Sequence, residues 1–126
     1  MEEFKNIFGK PQFFPKGIEE YYSYSTKELT ELLKKHNNGY VKSRICTELG
    51  RRKELIPIFE ELENMENQKM EALFGLSVAQ ILGLIIIDNG NRNDIEYLIS
   101  KINRWKIKHQ KEDFIYFLES NDIFIL

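Results

Sequence analysis

Ile45-Cys46-Thr47-Glu48-Leu49-Gly50 and Val78-Ala79-Gln80-Ile81-Leu82-Gly83 are the stretches whose alignment decides the architecture. Apolar residues coincide at the first and fifth places, the small residues Cys46 and Ala79 fall in register, and so do Gly50 and Gly83. Small side chains at matched helical positions let neighbouring helices approach closely, which stacked hairpins require and an isolated amphipathic helix does not. Ahead of such stretches, and again later in the chain, apolar residues recur with one spacing: Leu29, Leu32, Leu33, then Leu55, Ile58, Phe59, then Ile95, Leu98, Ile99. That spacing paints one face of a helix. A recurrence of helix pairs defines an architecture rather than a site, and it predicts an all-α fold of stacked antiparallel helical hairpins.

Local signals place the helices. Ser25-Thr26-Lys27-Glu28 has the form of a capping box, and Asn37-Asn38-Gly39 offers residues able to take the left-handed turn that ends the helix it starts. A second helix is predicted from about Tyr40 to Arg52 on the stripe Val41, Ile45, Leu49, with Arg44, Thr47, Glu48 and Arg51 off the stripe. Pro57 suits the first turn of a third helix, which stops before the polar run Glu63 to Lys69. A long central helix is expected over about Gln68 to Ile87, ended by Asp88-Asn89-Gly90. Asp94 is expected to cap the next helix, and Phe114, Ile115, Phe117 and Leu118 mark the last one, after His109.

The 126 residues fit one domain, 1–126. Within it we expect an irregular N-terminal arm (1–24), helical hairpins (25–118) and a C-terminal tail (119–126) that must pack or pair. The arm carries Phe4, Phe8, Phe13, Phe14 and three tyrosines around Pro11, Pro15 and Gly17, so it should fold back over one end of the domain with a short helical turn near Ile18. A formal net charge of −2 supplies no global field toward phosphate or anionic lipid, so nucleic acid is a poor default partner and a membrane is not expected. Met1-Glu2-Glu3-Phe4-Lys5 lacks the basic start and apolar run of a secretory signal, and the lone Cys46 excludes an internal disulfide. A cytoplasmic protein with a buried structural thiol is the expectation.

A search for chemistry finds no catalytic residue, cofactor or metal set to nominate. His36 and His109 lack the i, i+4 partner of a zinc-binding helix and suit helix ends. Gly75 and Gly83 are read as lying in an apolar helix, not in a phosphate loop. Glu60, Glu61, Glu63 and Glu66 sit in the most polar stretch, where a carboxyl is solvated rather than tuned for acid catalysis, and they offer an acidic binding patch. Lys101, Arg104, Lys106, Lys108 and Lys111 surround Trp105, a pattern that serves either nucleic-acid stacking or a core anchor with snorkelling neighbours.

On the aligned helices, the chain from Ser25 to Leu118 resembles a short HEAT-like repeat protein. Its Lys-, Glu-, Ile- and Asn-rich hairpins at Ser25 to Asn89 look like the all-α immunity proteins of bacterial contact-dependent and polymorphic toxin systems. That resemblance implies binding to one cognate toxin, a nuclease, whose active site is covered inside the producing cell. Glu19, Glu20, Tyr21, Tyr22 and Tyr24, with Glu60, Glu61, Glu63 and Glu66, would suit such a basic partner. Arg44, Thr47, Glu48 and Arg51 form a rival face. The alternatives are a nucleic-acid-binding regulator using residues 101–111, and a non-catalytic scaffold or accessory subunit.

Overall fold

A computed structural model describes residues 5–15, 18–73 and 75–125. Phe4, Gly17 and the opening Met1 to Phe4 lie outside them. The chain is all-α in class, with seven helices among the described residues: α1 (Thr26–Lys35), α2 (Gly39–Arg51), α3 (Ile56–Leu62), α4 (Met65–Lys69), α5 (Val78–Asn89), α6 (Arg92–Ile102) and α7 (Lys108–Ser120). A two-stranded antiparallel hairpin, β1 (Glu71–Leu73) and β2 (Leu76–Ser77), separates α4 from α5.

Capping chemistry sets most of the boundaries. The Ser25 hydroxyl accepts from the Glu28 amide at 3.0 Å, and the Glu28 carboxylate accepts from the Ser25 amide at 2.9 Å. Asn38 caps α2 by accepting from Val41, and Pro57 sits in the first turn of α3. Asn91, not Asp94, caps α6; Asp94 completes a capping box with it, each side chain accepting from the other's amide.

The expected central helix divides. α5 starts at Val78 because Ser77 and Gln80 form a second capping box, with bonds of 2.9 and 3.2 Å, and Gly75 takes φ +75°, a conformation no helix continues through. Gly75 is therefore in the hairpin, not in a helix. The turn at Asn37-Asn38-Gly39 also differs from expectation: none of these residues has positive φ. His36 ends α1 in extended conformation, and Gly39 opens α2 where a Cβ would lie 2.5 Å from the Glu71 carbonyl oxygen. Close approach, not backbone handedness, demands that glycine.

The core lies between α2 and α5, which make the most extensive contact in the molecule. α1 packs on α2, while α3 and α6 pack on α5. The aligned residues Leu29, Leu33, Leu55, Ile58, Phe59, Ile95 and Leu98 are all buried in one cluster that runs to Ile123, with Leu32 and Ile99 packed on its margin. A Cβ on Gly50 would lie 2.6 Å from the Ile85 side chain of α5, and one on Gly83 would lie 2.7 Å from the Phe114 ring of α7. Each aligned glycine thus sits where a side chain of another helix approaches its own helix closely. The described part of the tail, 119–125, adds no strand: Ile123 is buried, Ile125 packs on the core and Phe124 is exposed.

Candidate functional site

Two buried acids fix the arm. Asp88, at the end of the apolar α5, accepts from the Phe13 and Phe14 amides at 2.8 Å each, and its carbonyl accepts from Gln12 Nε2 at 2.7 Å. Burial pushes its carboxyl up to about 6, against the lowering effect of the two amides and Lys53. Phe13 then meets the Phe117 ring of α7 at 5.7 Å between centroids. Glu48, placed by its spacing off the apolar stripe of α2, is nevertheless fully buried, as Thr47 largely is. It accepts from Arg51 Nε and Nη2 at 2.9 and 2.6 Å, from Arg52 Nε at 2.7 Å and from the Ile18 amide at 3.4 Å. Burial raises its proton affinity, but the two guanidiniums and the Ile18 amide outweigh that and hold the carboxyl below its ordinary range.

The arm consequently lies along α2. A 3-10 turn, Glu19–Tyr21, puts Glu20 in an ion pair with Arg44, and Arg52 Nη2 donates to the Tyr21 carbonyl at 2.9 Å. The Arg51 guanidinium sits 4.8 Å from the Tyr22 ring centroid, and that of Arg44 sits 5.3 Å from Tyr40. Arg44 and Arg51 of the rival α2 face therefore share one surface with the arm residues, whereas Thr47 and Glu48 are buried beneath it. Tyr22, Tyr24 and Tyr40 are exposed there beside Glu19, Glu20 and the two arginines, while Tyr21 is half-buried against Tyr24.

The acids of α3 and α4 form a separate group, and among the described residues no hydrogen bond or ion pair joins them to the arm. Glu61 is not solvated: its carboxylate accepts from the buried Lys42 Nζ at 2.9 Å, and Asn67 bridges the two. This network ties α2, α3 and α4 together. Glu63 pairs with Lys101, and Glu66 lies 3.9 Å from Lys69. Glu60 and Glu63 line a shallow groove with Ile56, Phe59 and Tyr97, in which Ile56 is 75% exposed.

Trp105 is buried against Phe114 at 5.7 Å, so its ring anchors the core and is not an exposed stacking face. Burial also pushes the Cys46 thiol well up, away from nucleophilic character. Among the described residues no group of histidine, cysteine and acidic side chains is arranged to hold a metal ion, and no helix is long and apolar enough to cross a membrane. Together these features define a small, mostly helical protein. The chain matches no family model, no curated protein and no solved structure.

Proposed function

We propose that this chain is a protein-binding inhibitor: an immunity protein of the helical-repeat kind that binds and neutralises a cognate bacterial toxin, with a basic nuclease domain as the toxin class. The observation that carries this reading is the surface built from the arm and α2. Tyrosine and arginine are the side chains that most often dominate protein–protein binding energy, because they combine large contact area with directional polar groups. Here Tyr22, Tyr24 and Tyr40 stand exposed with Arg51 beside the half-buried Arg44, and buried Glu48 and Asp88 hold the segments beneath them in place. A surface ordered before binding loses less conformational entropy on docking.

Charge complementarity to a basic partner rests on Glu19 and Glu60, whose carboxylates have no ion pair among the described residues, unlike Glu20, Glu61 and Glu63. Coexpression with a small basic toxin domain, sought in the reading frames adjacent to that of this chain, tests the reading. Cells carrying both should grow where cells carrying the domain alone die; continued lethality in the presence of this protein would refute it.

A further inference from the structure

Ile56, Phe59, Glu60 and Glu63 follow one another at the i, i+3, i+4 and i+7 places of α3 and its C-terminal cap, so they share one face of that helix. With Tyr97 of α6 they line a groove of about 150 Å³. Phe59 is buried, its ring steeply inclined to that of Tyr97 at 4.8 Å between centroids, whereas Ile56 is 75% and Tyr97 49% exposed. Two large apolar side chains thus remain in contact with water beside two carboxylates.

Lys101, one turn beyond Tyr97 on α6, shows what this combination holds. Its Nζ lies 4.9 Å from the Tyr97 ring centroid and pairs with Glu63, and only 13% of its side chain is exposed. The stem is covered while the ammonium is shared between an aromatic ring and a carboxylate. Glu60, one turn earlier on α3, lines the same groove with Ile56 and Tyr97 but has no ion pair among the described residues. The groove is well below the roughly 300–1,000 Å³ of a small-molecule site, so it suits one side chain rather than a whole ligand. An occupant must cover Ile56 and Tyr97 with apolar atoms and bring positive charge to Glu60, and lysine and arginine carry both on one chain. We propose that the groove between α3 and α6 docks a cationic side chain, lysine or arginine, of a partner polypeptide, with the stem against Ile56 and Tyr97 and the cation on Glu60. It is a second contact point, apart from the tyrosines of the arm and α2. The choice of a polypeptide occupant rests on the protein-binding reading above; the groove and its unpaired carboxylate stand independently of it.

The test titrates the isotope-labelled full chain with acetyl-Gly-Arg-Gly-amide and acetyl-Gly-Lys-Gly-amide to about 20 mM, because a single-subsite contact binds in the millimolar range, and follows the backbone amides of Ile56, Glu60 and Tyr97. Parallel arms use acetyl-Gly-Gln-Gly-amide, acetyl-Gly-Glu-Gly-amide and methylguanidinium chloride. The expected result is a saturable shift at those amides with the basic peptides and none with the glutamine or glutamate peptide. Glu60→Gln should weaken binding about threefold to fivefold, the effect of one exposed ion pair, and Ile56→Ser about as much by removing the apolar contact. Both variants should keep the melting temperature, since both side chains are exposed. Methylguanidinium, which cannot cover Ile56, should bind at least about threefold more weakly than the arginine peptide. No saturation with either basic peptide, an equal shift with the glutamine or glutamate peptide, or unchanged affinity in either variant would overturn the proposal. Methylguanidinium binding as tightly as the arginine peptide would overturn the polypeptide occupant, while the protein-binding reading is judged separately by coexpression.

Discussion

Replacing Glu48 by glutamine tests how the arm is held. The substitution keeps the volume and one acceptor oxygen, but it removes the charge and turns an amide NH2 toward the guanidiniums. Three short bonds to Arg51 and Arg52 are lost or weakened, at 2.9, 2.6 and 2.7 Å in the native protein. A hydrogen bond to a charged group contributes about 1.5–3 kcal/mol net. Arg51 keeps 47% of its side chain in solvent and can rehydrate, so its bonds count for less, whereas Arg52, at 18%, cannot do so as freely. The expected loss is therefore about 2–3 kcal/mol, read as a lower urea midpoint at unchanged slope and a melting temperature reduced by roughly 6–15 °C. Amide exchange should accelerate at Ile18, which donates to Glu48. Because the folded carboxyl lies below its ordinary value of 4.5, its contribution is present above that pH and lost as pH falls through the lower folded value; the glutamine variant should lack this acid dependence. A loss under about 0.5 kcal/mol, with unchanged exchange at Ile18, would refute the account.

Other expectations follow from the same contacts. Asp88 has the opposite sign from Glu48: its carboxyl is raised from 3.8 to about 6, so its favourable contribution is complete below about pH 4 and is lost as pH rises through about 6. The stability difference between wild type and Asp88→Asn should change by up to about 3 kcal/mol between those limits, and a pH-independent difference in urea midpoints would contradict it. Gly83→Ala should destabilise by about 1–2 kcal/mol, because the new methyl meets the Phe114 ring, which Trp105 backs; stabilisation, as alanine's better helix propensity alone demands, would be the contrary result. Cys46 should react with a thiol reagent only as fast as the protein opens, and rapid labelling of the native state would oppose its burial.

The fold class was legible because the apolar spacing around Leu29, Ile58 and Leu98 is a direct image of buried helix faces, and Ser25 and Glu28 announce a helix start by their chemistry. The break in the central helix was less legible. Apolar content carries Leu76 and Val78 equally well into a helix or a hairpin, and only Ser77 with Gln80 signals the real start. The site was read in halves. Spacing marks Glu48 as polar and off the stripe, yet it is buried because the arm, distant in sequence, covers it. No local pattern predicts that. Asp88, a carboxylate directly following Ile85-Ile86-Ile87, was a usable sign of a buried acid with work beyond ending a helix. The groove beside Tyr97 could not be read from the chain, since it arises where α3 meets α6.

The central claim is that tyrosines and arginines, held out by the arm and α2, recognise a protein partner. Its most direct measurement is the dissociation rate of a basic toxin domain that this chain neutralises on coexpression, from wild type and from Tyr22→Ser/Arg44→Glu, both checked for equal melting temperature. A rate raised about 30-fold or more is predicted, as loss of a dominant interface contact produces. An unchanged rate in the folded variant would contradict the claim.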